Sequence, residues 1–466
     1  MSSSSHSHSD RYEVVIGLEV HVHLRTRAKL FCSCAVSYGD APNRHTCPVC
    51  LALPGALPVL NRAAVEHAMR TGLATHCEVQ AHSIFARKNY FYPDLPKGYQ
   101  ISQYEKPLAT GGWIEIEVEG QETKRIGITR IHMEEDAGKS IHDAATETHV
   151  DLNRTSVPLI EIVSEPDMRS PEEAGAYLRT LRAILRYIES SDADLEKGQF
   201  RCDANVSLRS PGATELGTRT EIKNINSFRF VEEAIRAEID RQAEILDDGG
   251  MIQQATLGYD AETHRLFVMR VKENADDYRY FPDPDLIPLR VAGERIEEIR
   301  AELPELPDQK RLRFESEYGL SDHDARLLSA SRALADFFEA ATRAHGTAKS
   351  VANWMLRDLL AALKEREIEI EEAAIAPEAL ARLIEMVDQG RVTAKSARDL
   401  VAELAEQGGD PEALVRERGL EAVSDAGLLE SVADEVIGAN PDAAERYAQG
   451  DKKVVNFLMG QVMKKT

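Results

Sequence analysis

The chain contains 466 residues, with 79 acidic residues against 56 lysines and arginines, so its formal net charge is −23. This length predicts two or three domains, and the acidic balance argues against non-specific coating of nucleic acid but not against a partner held by a local basic patch. No apolar run approaches the ~20 residues that span a membrane, and the Ser- and His-rich residues 1–10 lack the apolar stretch of a signal peptide. We therefore expect a cytoplasmic protein whose residues 1–10 form a flexible tail.

The chain up to residue 292 predicts a mixed α/β region. Short runs rich in Val, Ile and Thr lie between turn signals and predict strands at 12–24, 113–118, 125–132, 157–163, 201–208, 219–222 and 266–271. Helices are predicted at 62–75, 170–189 and 227–247, the last from an apolar stripe at helical spacing. Ser170, followed by Pro171 and Glu173, has the pattern of a capped helix N-terminus.

Beyond Pro304-Glu-Leu-Pro307 the pattern becomes entirely helical and rich in Ala, Leu, Glu and Arg. Helices are expected to begin at Arg332, Ala348, Pro377, Ala394, Pro411, Gly427, Pro441 and Lys452. The Gly408-Gly409 pair is the best candidate for a linker within this half. The predicted fold class is therefore α+β, with domains at 11–292, 293–407 and 408–466.

Residues Gly17–Leu24 alternate in a way that gives a β-strand two different faces. Glu19, His21 and His23 share one face, and aliphatic residues make the other. A carboxylate and two imidazoles in a row are placed to bind a cation or to move a proton. The solvated face of an edge strand explains this segment equally well, but further acidic segments follow and favour an active site.

Four of the six cysteines stand in two close pairs on either side of a turn, at Cys32, Cys34, Cys47 and Cys50. Four thiolates at this spacing suit a tetrahedral zinc ion in a closed structural site, which predicts a zinc knuckle over residues 32–50. Reduced cysteines under a loop are the alternative. Cys77 and Cys202 stand alone and are expected in the core, and disulfides are not expected in a cytosolic chain.

A second acidic segment follows a predicted strand that carries Arg130 and His132 on one face. It contains three consecutive carboxylates, Glu134, Glu135 and Asp136, which repel one another unless solvent or a cation neutralises them. A surface turn is the ordinary explanation of such a run. Its position at the end of this strand makes it a candidate part of the same site.

Two more segments place acidic side chains on predicted strands. Glu161 lies inside an aliphatic strand, where a carboxylate has to be paired, protonated or bound to a metal. Another strand carries polar residues on one face, namely Arg201, Asp203, Asn205 and Ser207. Such oxygen ligands favour Mg²⁺, whose coordination is usually completed by water and phosphate oxygens. A salt-bridge network between strands is the alternative.

Two loops, residues 87–103 and 276–283, combine basic and aromatic groups with prolines. Loops of this composition commonly bind ligands, and basic groups beside a metal site fit phosphate transfer. Aromatic packing that fastens a loop to the core is the alternative.

Six motifs, in this order along the chain, closely resemble the B-subunit family of bacterial aspartyl/glutamyl-tRNA(Asn/Gln) amidotransferases. They are Gly17-Leu-Glu-Val-His, Arg87-Lys-Asn-Tyr-Phe-Tyr-Pro-Asp, His132-Met-Glu-Glu-Asp-Ala-Gly-Lys, Leu159-Ile-Glu-Ile-Val-Ser-Glu-Pro-Asp, Arg201-Cys-Asp-Ala-Asn and Asp277-Tyr-Arg-Tyr-Phe-Pro. The resemblance covers nearly the whole chain. It implies a glutamine-synthetase-like cradle domain with an antiparallel sheet, then an all-α helical domain and a small tRNA-binding tail. The chain ends earlier than expected for the family, which leaves the completeness of the tail open.

The reaction implied by this resemblance has two steps. ATP phosphorylates the side-chain carboxylate of a glutamate or aspartate misacylated on tRNA(Gln) or tRNA(Asn), and ammonia then displaces the phosphate to form the amide. Phosphoryl transfer between anions requires Mg²⁺ to neutralise charge and align the groups. The resemblance thus implies a ligase that forms a carbon–nitrogen bond with glutamine as amido donor.

The chain shows no obvious means of releasing ammonia from glutamine, because it contains neither an amidase Gly-Gly-Ser-Ser run nor a Gly-x-Ser-x-Gly elbow. The resemblance implies that a separate amidase A subunit supplies the ammonia and that a small C subunit joins it to this chain in a heterotrimer. The misacylating synthetase is a further candidate partner, and the choice among Asp-tRNA(Asn), Glu-tRNA(Gln) or both stays open.

Site residues are assigned on this resemblance together with the residue types. The expected magnesium ligands are Glu19, His21, Glu135, Glu161 and Asp203, to which Lys88 and Arg201 are added as catalytic residues. The residues expected to bind ATP are Arg130, Lys139, Ser164, Asn205 and Lys223. Zinc is assigned to the cysteine quartet.

A non-catalytic tRNA-binding scaffold is the competing hypothesis, and metal-dependent ATP turnover would separate the two. For tRNA the sequence offers Lys452, Lys453, Lys464 and Lys465, which concentrate positive charge near the end of an acidic chain. Lysines placed for solubility and for the helix dipole are the alternative.

Overall fold

The computed structural model describes residues 11–142, 147–225, 227–271, 278–421 and 426–465. The expected flexible tail, residues 1–10, lies outside this part of the chain. The chain divides into two compact units, Met1–Leu306 and Pro307–Thr466. Within the described ranges, no helix is both long and apolar enough to cross a membrane.

The first unit is built on a nine-stranded sheet. The strands of the whole unit, in chain order, are β1 (Glu13–His23), β2 (Glu78–Val79), β3 (His82–Ser83), β4 (Phe85–Asn89), β5 (Tyr99–Gln103), β6 (Ala109–Ile116), β7 (Lys124–Glu135), β8 (Lys139–Ile141), β9 (His149–Asp151), β10 (Pro158–Ser164), β11 (Phe200–Arg209), β12 (Thr220–Ile225), β13 (Ala255–Asp260), β14 (Arg265–Val271), β15 (Phe281–Pro282) and β16 (Leu289–Arg290). The large sheet has the order β14-β13-β12-β11-β1-β10-β7-β6-β2, and smaller sheets are β15-β4-β5, β16-β3 and β8-β9.

Neighbouring strands of the large sheet run antiparallel, except for the parallel pair β12–β13. This mixture of a mainly antiparallel sheet with helices confirms the predicted α+β class. Strand β1 lies between β11 and β10. The interpretation of Gly17–Leu24 as the outer face of an edge strand is therefore wrong.

One face of the large sheet packs against helices. The helices of this unit are α1 (Arg62–Ala74), α2 (Pro171–Tyr187), α3 (Phe228–Asp247) and α4 (Gly293–Glu302). Leu18, Val20 and Val22 of β1 are buried in the core that α1, α2 and α3 share with the sheet. The predicted cap of α2 is confirmed, because Ser170 Oγ accepts a hydrogen bond from the Glu173 backbone N–H at 3.2 Å.

The first unit extends beyond the boundary predicted at residue 292. Ile299 of α4 is fully buried in its core, and Glu302 pairs with Arg70 of α1 at 2.8 Å. Because α4 is polar apart from a few apolar positions, its sequence resembles that of the helices that follow. The burial of Ile299 and the ion pair with Arg70 assign it to the first unit.

The second unit is entirely helical in its described residues, as predicted. It contains α5 (Pro307–Tyr318), α6 (Asp322–Leu328), α7 (Arg332–His345), α8 (Ala348–Trp354), α9 (Leu360–Arg366), α10 (Pro377–Asp388), α11 (Ala394–Gln407), α12 (Pro411–Glu417), α13 (Ala426–Ala439), α14 (Pro441–Ala448) and α15 (Val454–Lys465). A π-helical segment, Met355–Leu359, joins α8 to α9, and a 3₁₀ turn lies at Ile370–Glu372. Each of the eight predicted helix starts lies within two residues of an observed one.

The core of the second unit combines aromatic and aliphatic side chains. The rings of Phe314 and Phe338 meet edge to face, with 5.0 Å between their centroids. Val415 of α12 is fully buried in the same core as Leu400 and Leu404 of α11. A domain boundary at residue 408 would therefore separate residues that share one core.

We predict that Phe338→Ala lowers the free energy of unfolding of the second unit by about 3–5 kcal/mol, because it removes a buried ring and leaves a cavity. Urea denaturation followed by circular dichroism measures the change. Arg343→Ala, an exposed substitution on the same helix, is the control and should stay within about 0.5 kcal/mol of the wild type. Equal effects of the two substitutions would contradict a packed core around Phe338.

Candidate active site

Strand register aligns polar residues from four strands on the sheet face that the helices leave uncovered. His21 on β1 is paired with Arg201 on β11 and with Glu161 on β10. Glu161 is in turn paired with His132 on β7. Residues paired in register point to the same face of a sheet, so segments far apart in the sequence form one row of side chains.

The first cluster on this face consists of His21, His132, Glu134 and Glu161. His21 Nε2 lies 3.4 Å from Glu161 Oε2 and 3.8 Å from Glu134 Oε1. His132 Nε2 lies 3.3 Å from Glu161 Oε2 and 3.6 Å from Glu134 Oε2. One ligand atom from each of His21, Glu134 and Glu161 lies within 4.8 Å of the others, a spacing that suits a single cation.

Opposite charges decide the protonation of the first cluster. Burial alone raises the pKa of a carboxyl group, but the two imidazoles hold the pKa of Glu161 well below its usual value. Burial alone lowers the pKa of an imidazole, but the charges of Glu161 and Glu134 raise the pKa of His132 to about 9. At neutral pH a proton on His132 therefore balances a carboxylate, and a divalent cation could balance the same charge.

Glu135, a predicted magnesium ligand, does not belong to this cluster. Its carboxylate lies 2.5 Å from Lys97 Nζ, accepts the Ile101 backbone N–H at 2.9 Å and accepts a hydrogen bond from Ser156. Successive side chains of a strand point to opposite faces, so only one of the two adjacent glutamates can lie on the same face of β7 as His132. That residue is Glu134, and the prediction of Glu135 as part of the shared set is corrected.

The second cluster consists of Glu19, Asp203 and Glu221, whose carboxylate oxygens lie within 4.8 Å of one another. Lys223 Nζ donates to Asp203 Oδ2 at 2.7 Å and lies 3.1 Å from Glu221 Oε1. Asn205 Nδ2 donates to Glu19 Oε1 at 3.0 Å. Burial, together with the charges of Glu161, Glu221 and Asp203, raises the pKa of Glu19. The cluster thus carries more negative charge than Lys223 alone can balance.

Glu221 was not identified from the sequence, although it belongs to the second cluster. It stands on β12 two residues before Lys223, so both side chains point to the same face. This alternation of acid and base within a short strand was the available signal. The antiparallel pairing of β12 with β11 places Glu221 opposite Asn205.

A third group of charges surrounds Asp136, at the end of β7. Its Oδ2 lies 2.7 Å from His23 Nε2, 2.9 Å from an Arg201 nitrogen and 3.4 Å from Arg154 Nε. Although burial opposes it, Arg201 and His23 hold the pKa of Asp136 well below its usual value. Asp136 in turn raises the pKa of Arg201. Arg201, a predicted catalytic residue, is therefore fixed at the border of the first cluster by this ion pair.

The predicted loops 87–103 and 276–283 lie side by side, although residues 276 and 277 are outside the described part of the chain. Asn89 Nδ2 donates to the Arg279 carbonyl at 2.8 Å, and the rings of Tyr104 and Tyr280 are stacked with 4.2 Å between centroids. Lys88 Nζ lies 4.9 Å from the ring centroid of Tyr278. Although burial opposes it, the charges of Glu134 and Glu161 in the first cluster raise the pKa of Lys88.

The predicted ATP ligands do not all come together. Ser164 and Asn205 line one cavity of about 190 Å³ with Gly17 and Glu19, next to the second cluster. Lys223 contacts that cluster directly. Arg130 is paired with Val163, which is itself paired with Glu19.

Lys139 lies elsewhere, on β8. It lines a different cavity of about 660 Å³ that also contains His23 and Arg154. The structure therefore does not bring Lys139 together with the other four predicted ATP ligands.

The cysteine quartet converges as the sequence predicts. Cys50 Sγ lies 3.6 Å from Cys32 Sγ, 3.8 Å from Cys47 Sγ and 4.0 Å from Cys34 Sγ. Four sulfurs bound to one zinc at about 2.3 Å would be about 3.8 Å apart, so the donor set fits this metal. The hydrogen bond from Cys32 and the charge of Lys29 lower the pKa of Cys50 to about 4.

The remaining two cysteines, Cys77 and Cys202, are buried in the core of the first unit, as predicted.

These features define an α+β protein whose central sheet gathers carboxylates and imidazoles in an arrangement typical of divalent-cation sites. A family model described as the GatB/GatE catalytic domain matches residues 14–297, and one described as the GatB domain matches residues 336–466. The chain belongs to the B-subunit family of aspartyl/glutamyl-tRNA(Asn/Gln) amidotransferases. The resemblance carried by its six motifs is therefore confirmed.

Individual relatives match over nearly their whole length. The B subunits of aspartyl/glutamyl-tRNA(Asn/Gln) amidotransferases from several bacteria are similar to this chain. The one from Solidesulfovibrio magneticus is 54% identical over 457 residues, which cover 98% of this chain and 96% of that protein. Those from Syntrophotalea carbinolica and Oleidesulfovibrio alaskensis are 53% and 55% identical to it. Each match covers 98% of this chain, and the matches cover 95% and 96% of the two relatives, respectively.

We predict that Asp136→Asn lowers the free energy of unfolding at pH 7 by about 2–3 kcal/mol, less than the ~3–5 kcal/mol of a fully buried pair because the arginines are partly exposed. The folded-state pKa of Asp136 lies below the unfolded value of about 3.9, so its ionic contribution is present above that pH and is lost as the pH falls further. The difference in free energy of unfolding between the two proteins should therefore stay constant from pH 7 to about pH 4. Below that it should shrink by at most about 1.4 kcal/mol per pH unit, which denaturation curves between pH 2 and pH 7 measure. The exposed Asp248→Asn is the control, and a constant difference at all pH values would contradict the ionic origin.

Proposed function

We propose that this chain amidates glutamate or aspartate that is misacylated on tRNA(Gln) or tRNA(Asn). The three relatives above are named as the B subunit of an aspartyl/glutamyl-tRNA(Asn/Gln) amidotransferase. A catalytic role for this chain is supported by the first and second clusters, which lie next to each other. Glu19 of the second cluster and His21 of the first are successive residues on one face of β1.

In the proposed reaction a side-chain carboxylate oxygen attacks the γ-phosphorus of ATP, and ADP leaves. Ammonia then attacks the carbonyl carbon of the acyl phosphate, and phosphate leaves as the amide forms. A carboxylate is a poor electrophile until one of its oxygens becomes part of such a leaving group. Since both reacting partners are anions, the site has to supply positive charge where they meet.

We assign one Mg²⁺ to each cluster. The proposed ligands are His21, Glu134 and Glu161 in the first cluster and Glu19, Asp203 and Glu221 in the second. When bound, the metal would neutralise phosphate charge and align the reacting groups. The carboxylates contribute by fixing two points of negative charge on rigid neighbouring strands rather than on loops.

Cationic side chains around the clusters would complete the charge balance. Lys88, whose pKa the carboxylates of the first cluster raise, is proposed to stabilise charge on the oxygens of the transferred phosphoryl group. Lys223 and Arg130 are proposed to bind ATP phosphates beside the second cluster, and Ser164 and Asn205 to line the cavity that receives the nucleotide. A role for Lys139 in ATP binding stays a sequence-based prediction.

The remaining assignments rest on the family. We propose an amidase A subunit as the source of ammonia and a small C subunit that joins it to this chain in a heterotrimer. The misacylating synthetase is a further partner, the compartment is the cytoplasm, and the first unit is related to the glutamine synthetase cradle. The cysteine quartet is proposed to bind one structural zinc, because closed tetrathiolate sites stabilise loops with little core of their own.

We predict that Glu161→Gln reduces ATP-dependent amidation by about 100-fold or more, because it keeps the shape of the side chain but removes a charge between His21 and His132. The measurement mixes this chain with its partner subunits, ATP, Mg²⁺ and each misacylated tRNA, and analyses the amino acid released from the tRNA. Binding of tRNA should be unchanged.

Glu115→Gln is the matched control. Glu115 lies on β6 and pairs with Arg125 at 2.9 Å, outside both clusters. It should leave the amidation rate at the wild-type level. If Glu161→Gln also left the rate unchanged, the first cluster would be structural, and the scaffold hypothesis would replace the catalytic one.

The C-terminal helices are proposed to bind the tRNA backbone. Lys452 and Lys453 are exposed at the start of α15, within a chain that is otherwise acidic. The side chains of Lys464 and Lys465, the other two lysines of this prediction, lie outside the described residues. Val436 of α13 and Val454 of α15 are buried, and α13, α14 and α15 contact one another. The lysines thus stand on a packed group of helices.

We predict that deletion of residues 422–466 sharply weakens tRNA binding and makes its salt dependence shallower, because phosphate contacts release counterions. Ending the chain at residue 421 keeps α12 and its buried Val415. The double substitution Lys452→Gln/Lys453→Gln should lower the slope of log K against log salt by about 2. The control is Lys395→Gln, an exposed substitution on α11 that should leave tRNA affinity unchanged. If the deletion left tRNA affinity unchanged, the tail would have a structural role and would not bind tRNA.

A further inference from the structure

Lys29 is a fully buried lysine beside the cysteine quartet. Its Nζ donates to the His45 carbonyl at 2.7 Å, to the Leu152 carbonyl at 3.1 Å and to Cys50 Sγ at 3.4 Å. A buried ammonium requires both hydrogen-bond acceptors and a compensating charge. Among the described residues no carboxylate pairs with Lys29, so the sulfur of Cys50 is the group in contact that can carry the opposite charge.

The charge of a metal site explains why a lysine is buried here. One Zn²⁺ bound by four thiolates leaves two negative charges uncompensated. An ammonium in contact with one of the sulfurs balances one of them. Groups that contact metal ligands in this way commonly determine metal affinity.

The same ammonium reaches a second segment, residues 150–157. Lys29 contacts Leu152, and Asn43 of the cysteine loop donates from Nδ2 to the Val150 carbonyl at 2.9 Å and accepts the Leu152 N–H at 2.8 Å. The His45 N–H donates to Asn153 Oδ1 at 2.8 Å. The cysteine loop is therefore fastened to this segment by Asn43 and His45 as well as by Lys29.

Segment 150–157 in turn borders the candidate active site. Arg154 donates to the Ala137 carbonyl at 3.0 Å and to the Gly138 carbonyl at 2.6 Å, and lies 3.4 Å from Asp136. Asp136 pairs with Arg201. A continuous chain of contacts thus leads from the cysteine sulfurs through Lys29 to the charges at the border of the first cluster.

We propose that Lys29 is a positioning residue of the tetrathiolate site, which neutralises a thiolate of the bound metal and couples the cysteine loop to residues 150–157. This inference rests on the zinc site proposed above. It adds that the bound metal stabilises residues 150–157, which border the candidate active site, as well as the cysteine loop.

The test compares the full-length wild type with Lys29→Met, Lys29→Gln and Lys310→Met. Lys310 is a buried lysine of the second unit that pairs with Asp336 and Glu339, so the same substitution there controls for the loss of a buried lysine. Zinc content and zinc transfer to a competing chelator are measured. Both Lys29 variants should bind zinc about 10- to 100-fold more weakly, and Lys310→Met should bind it like the wild type.

A spectroscopic measurement distinguishes the loss of the Lys29 charge from a general loss of packing around the metal site. With Co²⁺ in place of zinc, loss of the ammonium should shift the thiolate-to-cobalt charge-transfer band to longer wavelength, because the sulfur lone pairs rise in energy. Absence of zinc from the wild type would refute the proposed zinc site itself. Zinc in the wild type and equal affinity in both Lys29 variants would refute only the role of Lys29.

Hydrogen exchange on the wild type decides the coupling even if the Lys29 variants do not fold. Removal of zinc with a chelator should increase amide exchange both in residues 29–50 and in residues 150–157. Strand β13 should keep its protection. Full protection of residues 150–157 after metal removal would overturn the proposed coupling.

Discussion

The register between β1 and its two neighbours is the constraint on which the candidate site depends. Glu19 is paired with Asp203 and His21 with Glu161, so both clusters exist only while these pairs stay aligned. A slip of one residue in β1 would turn Glu19 and His21 towards the helices and bring Val20 to the polar face. The aliphatic residues of β1 prevent such a slip, because they are buried beneath α1, α2 and α3. Hydrophobic burial on one face thus fixes the charges on the other.

The charges on the polar face are arranged in opposing groups rather than spread evenly. Two imidazoles oppose Glu134 and Glu161, Lys223 opposes the carboxylates of the second cluster, and two arginines oppose Asp136. Burial makes an isolated charge costly. Before any metal or nucleotide binds, the carboxylates are therefore partnered by imidazoles, by Lys223 or by arginines, and Glu19 accepts a hydrogen bond from the Asn205 amide. Binding of a divalent cation would then exchange partners instead of creating a new charge. This fits a site that has to accept and release polyanions repeatedly.

The sequence predicted those features that depend on local pattern and missed those that depend on tertiary pairing. The alternation in β1 and the cap of α2 at Ser170 are local, and both were predicted correctly. The two-residue strands β2, β3, β15 and β16 have no such pattern and form because partners approach them. The choice between Glu134 and Glu135 follows from alternation along β7, which puts Glu134 on the face of His132. The sequence analysis missed it because the strand was predicted to end at residue 132, whereas β7 continues to Glu135. Glu221 offered only its local alternation with Lys223, and its role, like the place of α4, follows from neighbours that are distant in the sequence.

The pairing of β1 also has a consequence for biosynthesis. β1 leaves the ribosome before both of its partners, since β10 ends at Ser164 and β11 at Arg209. Until β10 has been synthesised, a strand with one apolar face that will later lie at the centre of the sheet has neither partner. Such non-local pairing slows folding and exposes the nascent chain to aggregation. The acidic composition of the chain, through mutual repulsion between nascent copies, would keep them apart during that interval.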